Sequence, residues 1–403
     1  MKKISGGVCA AKGFRAAGVH CGVRKNRTKR DLALIVSDVR GSAAAVYTTN
    51  LVKGAPLYVT RDHISDGYAS AIIANSGNAN TCNADGVQIA EEMCGIAADV
   101  LGIPASDVAV ASTGVIGMPL SIAPFKTGIP DAAKVLGDNG SDAAEAIMTT
   151  DTVKKEVSYS FECGGVECRI GGIAKGSGMI HPNMATMLCF ITTDAAISPE
   201  MLRKALKSGV CDTFNMLSID GDTSTNDMTL VIANGLAGNP EITCEGADLD
   251  SFKCALKAIM DDLCRMLAAD GEGATKLLEC KVAGASTKEI ARKVAKSVIC
   301  SSLLKAAMFG ADANWGRVLC AIGYSGADVD VTKVSVSFTS PAGEIEVCRD
   351  GAGVPFSEED AKKILSESEI EILVGLHDGG ESALARGCDL TYDYVKINGD
   401  YRT

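Results

Sequence analysis

Lys175-Gly-Ser-Gly-Met-Ile-His-Pro-Asn-Met-Ala-Thr-Met-Leu-Cys-Phe-Ile-Thr-Thr-Asp194 joins two kinds of sequence. Its first half is a loop of glycine, serine, proline and asparagine that runs into Ala185 and Thr186. An apolar, β-prone run over 187–193 follows directly. A threonine on the hinge between a loop and a buried strand is where a chain can cut itself and expose that threonine as a new N-terminus. Such a residue carries a hydroxyl nucleophile and an amine base on one carbon skeleton. Threonine is also common at strand starts, because its β-branched side chain suits the pleat. The junction alone therefore does not separate self-cleavage from an ordinary strand start.

The whole chain narrows the choice. At 403 residues it has room for two domains or one large layered fold. The formal net charge of −11 disfavours nucleic acid and anionic membrane as partners. The one basic cluster, Arg24-Lys-Asn-Arg-Thr-Lys-Arg30, reads as a solvated loop before a strand at Leu32. Sixteen cysteines contain no Cys-x-x-Cys pair, and His20, His63, His181 and His377 are scattered, so zinc-ligand spacing is absent and no metal is expected. Cys189, Cys300 and Cys320 sit in apolar runs, where a thiol acts as a small hydrophobe. With no long apolar segment at the N-terminus or elsewhere, the chain reads as cytoplasmic, reduced and free of membrane spans.

Period and punctuation predict an α/β protein. Strands are expected over 32–37, 43–48, 71–74 and 108–111, with helices over 85–102 and 143–149. A hairpin is expected from 153–160 and 166–170 about Cys163-Gly-Gly165, then helices over 199–209 and 249–269 around a strand at 228–233. Past about residue 280 the pattern changes to helices over 287–308, 313–322 and 358–366 and strands over 334–338, 344–347, 370–376 and 390–397. A smaller C-terminal domain over about 280–403 follows from that change.

Several segments hold chemistry-bearing residues. Ala111-Ser-Thr-Gly-Val-Ile-Gly117 follows a strand, so Thr113 and Gly114 can aim a hydroxyl and an N–H at one point, as an oxyanion hole requires; a plain strand-ending turn is the alternative. Ser218-Ile-Asp-Gly-Asp-Thr-Ser-Thr-Asn-Asp227 resembles an aspartate-nucleophile phosphatase motif, with Asp220 attacking and Asp222 as acid. The calcium-loop reading fails, since Val231 stands at the twelfth position. A polar turn that organises a neighbouring loop fits the same residues better. Glu272, between Gly271 and Gly273 at a helix end, can face an ammonium group. Asn75-Ser-Gly-Asn-Ala-Asn80 either binds substrate or shapes a turn. No Walker loop and no Gly-x-Gly-x-x-Gly occurs.

Taken in order, these segments resemble the ornithine acetyltransferase family, the glutamate N-acetyltransferases of arginine biosynthesis. The resemblance also takes in Val46-Tyr-Thr-Thr-Asn50, Met148-Thr-Thr-Asp-Thr152, Gly310-Ala-Asp-Ala-Asn-Trp-Gly-Arg317 and Cys388-Asp-Leu-Thr-Tyr-Asp-Tyr-Val395, and so runs almost the full length. It implies an α/β (α+β layered) fold, a self-processing, N-terminal-nucleophile-like sandwich of sheets and helices. It implies cleavage of the Ala185–Thr186 bond into chains of residues 1–185 and 186–403, two of each assembling as a heterotetramer.

By the same resemblance Thr186 carries acetyl as an ester from N-acetylornithine to glutamate, and Thr113 and Gly114 form the oxyanion hole. Thr152, Lys175, Thr186, Glu272, Asn398 and Thr403 match the family's substrate contacts. No bound cofactor is implied. Acetyl-CoA is a co-substrate in the family's bifunctional form, and no residue here decides between the two forms. The chemistry agrees: an α-amine with a reference pKa near ~7.8 is about a tenth unprotonated at pH 7 and can act as base. Lys175 suits a carboxylate and Glu272 an ammonium group. The nearest rival is a related self-processing aminopeptidase or amidohydrolase, which passes the acyl group to water.

Overall fold

The structure, a computed structural model, describes residues 1–181 and 187–399. Ala185, Thr186 and Thr403 lie outside the described residues. The chain opens with β1 (Lys2–Ile4), β2 (Phe14–Val19) and β3 (Leu32–Tyr47), then α1 (Ala55–His63), β4 (Tyr68–Asn75), α2 (Gly86–Leu101) and β5 (Val108–Ser112). Helices α3 (Ala123–Lys134) and α4 (Gly140–Ala146) lead to β6 (Lys155–Cys163), β7 (Val166–Lys175) and β8 (Leu188–Thr193). After α5 (Pro199–Cys211) and β9 (Leu217–Ser218) come β10 (Met228–Ala233) and the long α6 (Ala247–Ala269).

All these strands except β9 form one sheet, ordered β1-β6-β7-β8-β10-β3-β4-β5, with β2 paired to the first half of β3. The parallel pair β8–β10 sits at its centre, Leu188 opposite Met228. Both faces of that pair are covered, which is why its sequence is apolar throughout rather than alternating. Leu188, Phe190, Leu230 and Ile232 enter one core with Ile173 and Ala144. Cys189, Ile191 and Val231 enter another, against Leu206 of α5 and Phe252, Ile259 and Leu263 of α6. Helix α6 earns its place by apolar residues at three- and four-residue steps, Leu249, Phe252, Leu256, Ile259, Leu263 and Leu267. It delivers residues 270–272 to the end of the sheet.

The second sheet is built from β11 (Leu277–Ala285), β12 (Ser335–Ser340), β13 (Gly343–Arg349), β14 (Ala352–Gly353), β15 (Glu369–Gly375) and β16 (Glu381–Cys388). Short β9 adds to its edge, Leu217 beside Arg386. Its core takes Val294, Val298, Val318, Ile322 and Ile364 from helices α7 (Lys288–Cys300), α8 (Ser302–Phe309), α9 (Trp315–Gly323) and α10 (Glu358–Leu365). No helix among the described residues is long and apolar enough to cross a membrane.

Three expectations need correction, and two helices were not expected at all. Residues 390–397 form no strand; they lie in α11 (Tyr392–Gly399), which buries no side chain and is started by Thr391, whose hydroxyl accepts the Tyr394 N–H at 3.3 Å. The period-2 pattern there reflects chance, with no buried face to enforce it. The helix expected over 287–308 is two, broken at Ser301, whose hydroxyl caps α8 through Leu304 N–H. The strands expected over 32–37 and 43–48 are one, β3, with a register break between Val36 and Gly41. Helices α1 and α3 escaped notice because prolines stand at their starts and Pro130 lies inside α3.

Candidate active site

The end of β5 delivers the Thr113–Gly114 turn. Asn75 holds it: its amide donates to Asn78 O at 2.9 Å, and its carbonyl accepts the Ser112 hydroxyl at 2.6 Å. Asn78 donates to Met118 O at 3.0 Å, and Asn226 donates to Ala79 O and Ser112 O at 2.5 and 3.0 Å. The asparagine-rich segment 75–80 therefore shapes the turn with its side chains. Gly114 has φ +133° and lies against Gly77, where a Cβ would come 2.3 Å from the Gly77 carbonyl carbon. Only glycine fits both demands. Gly114→Ala is expected to lower kcat about 10²-fold, comparable to the loss of one oxyanion donor, with the fold retained. Steady-state kinetics with circular dichroism checks this, and full activity would rule the turn out.

Thr113 and Gly114 border a cavity of about 340 Å³. Lys175, Asn226, Asp227, Glu272 and Asn398 line it as well, and so does Met187, the first described residue after Thr186. Lys175 ends β7 almost fully buried, and its ammonium donates to Thr113 Oγ1 at 3.3 Å. It makes no ion pair among the described residues. Burial lowers its pKa, opposed by the charges of Asp151 and Asp227. Asp227, just before β10, is held by burial well above the carboxylate range, and its Oδ2 has no partner among the described residues. Burial thus works against charge on both Lys175 and Asp227, and a substrate carboxylate beside Lys175 would favour its ammonium form. Glu272 is fixed by its N–H donating to Ser177 O at 2.8 Å and by Asn398 donating to Oε2 at 2.7 Å. Gly178 makes room for it, since a Cβ there would meet Oε2 at 2.3 Å.

Beneath the cavity lies a buried ion cluster that the sequence reading missed. Lys155, with no exposed surface, donates to Asp151 at 2.6 Å and Asp270 at 2.5 Å. Burial would raise the Asp151 carboxyl, but Lys155 and Lys175 bring it down to about 2. Asp151 accepts Gly176 N–H at 2.7 Å and Thr149 N–H at 2.9 Å, tying the base of the Lys175 loop to the cavity edge. Lys155 stands between Lys154 and Glu156 and does not stand out by itself, and its partner Asp270 is distant in sequence.

The resemblance places Thr152 at the substrate. In the structure its hydroxyl donates to Asp270 and it does not line the cavity, whereas Thr149 and Thr150 do. Asp220 accepts the N–H groups of Met179 and Ile180 at 2.6 and 3.0 Å and that of Asp222 at 3.2 Å. Its carboxylate is occupied in fixing the loop before residue 182, so the phosphatase reading gives way to the organising turn. Thr223 also donates to His181 O at 2.8 Å. Burial lowers the His181 pKa to about 4, keeping the ring neutral at pH 7.

Residues 15–403 match the model of the ArgJ family. The arginine biosynthesis bifunctional protein ArgJ of Symbiobacterium thermophilum is 52% identical over 406 residues, covering 100% of both chains. ArgJ 1 of Clostridium acetobutylicum is 51% identical over 392 residues, covering 97% of this chain and 96% of that protein. A crystal structure of the Bacillus halodurans protein, 46% identical, superposes with a TM-score of 0.50 over 53% of this chain and 98% of that chain. A layered α/β fold with a buried cationic and acidic cavity, matched end to end by these relatives, defines an acyltransferase of arginine biosynthesis. The chain belongs to the ArgJ family, as its resemblance to the ornithine acetyltransferases implied.

Proposed function

We propose that the chain is a glutamate N-acetyltransferase that moves acetyl from N-acetylornithine to glutamate through an ester on Thr186. The observation that carries this is one cavity that gathers Thr113, Gly114, Lys175, Glu272 and Asn398, far apart in sequence, beside Met187. Cleavage at Ala185–Thr186 frees the amine that acts as base, Thr113 and Gly114 stabilise the oxyanion, and Lys175 holds the substrate carboxylate. Acetyl-CoA serves as a second donor, its acetyl group passing to Thr186 and free CoA thiol leaving as a product; it is not a resident cofactor. Two of each fragment form the working assembly.

N-acetylornithine offers Glu272 a side-chain ammonium, whereas glutamate offers a carboxylate. Glu272→Gln is therefore expected to raise KM for N-acetylornithine roughly 10- to 100-fold, the value of one hydrogen bond to a charged group. KM for glutamate should rise less. Equal effects on both would remove Glu272 from that role. With both substrates present, N-acetylglutamate should form faster than free acetate; acetate alone would make the protein an amidohydrolase.

A further inference from the structure

Three titratable side chains among the described residues line the reaction cavity: Lys175, Glu272 and Asp227. Lys175 and Glu272 suit the charged groups of the substrates, which leaves Asp227. Its place is fixed by the backbone on both sides. Thr48 N–H donates to Asp227 O at 3.0 Å, and Met228 N–H donates to Met187 O at 2.9 Å, so Asp227 stands where β10 meets the start of β8. The residue is 3% exposed, and the Ser224 side chain hydrogen-bonds its carboxyl. Oδ2 meets no donor, and the carboxyl enters no ion pair among the described residues. A buried carboxylate in that setting is costly, so the carboxyl carries a proton at rest. Lys175, at the end of β7, is the charged group that opposes this, and its own charge is shared with Asp151, Lys155 and Glu272. Tyr47 of β3 stands opposite Met228 and packs into the other core.

Acetyl transfer from one amine to another moves a proton that the nucleophile does not account for. At pH 7 ornithine leaves and glutamate arrives as α-ammonium ions, and an ammonium has no lone pair with which to attack an ester. In the first half-reaction the C–N bond of the donor amide breaks and the C–O bond to Thr186 forms. The hydroxyl proton, passed through the Thr186 amine, turns the departing nitrogen into an amine. One more proton makes it an ammonium. In the second half-reaction the ester C–O bond breaks and the C–N bond to glutamate forms. The glutamate ammonium loses one proton before it attacks, and a second returns to the Thr186 hydroxyl.

We infer that Asp227 carries the extra proton: it protonates the ornithine α-nitrogen in the first half-reaction and takes a proton from the glutamate α-ammonium in the second. The inference rests on the acetyl-transfer reading. Between the two halves Asp227 is a carboxylate with which an incoming ammonium pairs. The site therefore accepts glutamate in its common form rather than its rare neutral one, and each turnover restores the carboxyl.

Asp227→Asn keeps the size of the side chain and removes the exchangeable proton. The test uses processed protein, checked by intact mass, with N-acetylornithine as donor and either glutamate or hydroxylamine as acceptor. Hydroxylamine is neutral at pH 7 and loses no proton before it attacks. The variant is expected to lower kcat/KM for glutamate about 10²-fold or more at pH 7, and kcat/KM for hydroxylamine far less. Relative to hydroxylamine, the wild-type value for glutamate should level off with rising pH well before the pKa of the glutamate amine. In the variant it should climb about tenfold per pH unit up to that pKa, because only neutral glutamate then reacts. A purely structural role would lower both acceptors alike and leave the two profiles the same shape, and either result overturns the assignment. If the variant stays uncut, the wild type decides, since a relative profile that climbs all the way to the amine pKa overturns it as well. A wild type that transfers acetyl to neither acceptor strikes the main reading instead.

Discussion

Thr186→Ala is expected to remain a single chain of 403 residues, where the wild type is expected to give fragments 1–185 and 186–403, and to lose acetyl transfer from N-acetylornithine. Removing a nucleophile that also supplies the base should cost between about 10³- and 10⁶-fold in kcat, by comparison with other acyl-transfer enzymes. Thr186 lies outside the described residues, so the expectation rests on what flanks it. Upstream, Asp220 and Thr223 fix the loop through 179–181. Downstream, Met228 N–H donates to Met187 O at 2.9 Å and β8 begins. The described residues on either side of the junction are thus held, and Ile180 and Met187 both line the cavity. Intact mass and a donor assay on one preparation decide the matter. An uncut wild-type chain with full activity would sink the mechanism.

The largest effect on stability should come from Lys155→Met. The substitution leaves Asp151 and Asp270 buried beside one another without their shared cation, and breaking a buried pair in this way costs about 3–5 kcal/mol. Denaturant melts of the processed protein should show it. The triple variant Asp151→Asn/Lys155→Met/Asp270→Asn should recover most of the loss, because no buried charge is then left alone. A loss under about 1 kcal/mol for Lys155→Met, the range of an exposed pair, would refute the account. The same cluster sets a pH limit. The Asp151 carboxyl is depressed from 3.8 to about 2 in the folded protein, so its contribution is in place above pH 3.8 and is lost as pH falls toward 2.

Much of this site was legible before any coordinates. Thr113, Gly114 and Glu272 stood out because each lies where a regular element is expected to stop, and strand ends and helix ends are where a fold presents side chains to a cavity, whereas Lys175 was marked only by the resemblance. The joining of these points was not legible from spacing, since 113 meets 175 and 272 meets 398 only through tertiary packing. It came from the ordered resemblance. Lys155, Asp151 and Asp270 were passed over for a related reason: a buried charge is recognisable only when its partners are known, and Asp270 is 115 positions from Lys155. Asp227 hid in a polar run in which the Asp220 carboxylate serves a turn. In the fold, residues 390–397 misled because an exposed helix has no apolar stripe to betray its period.

The strand order of the first sheet has one more consequence. Strands β8 and β10 come from the part after residue 186, yet they lie between β7 on one side and β3 on the other, both from the part before it. Lys155 ties its neighbour Asp151 to Asp270 across the same division. Once cut, the molecule is two complementary polypeptides woven through a common sheet, and neither can leave without unzipping two ladders of hydrogen bonds. On the proposed cleavage, the backbone link given up in making the nucleophile would be one that the folded protein no longer requires. Separated pieces should find each other again only in a concentration-dependent step, and the nicked enzyme should survive dilution as though it had never been severed.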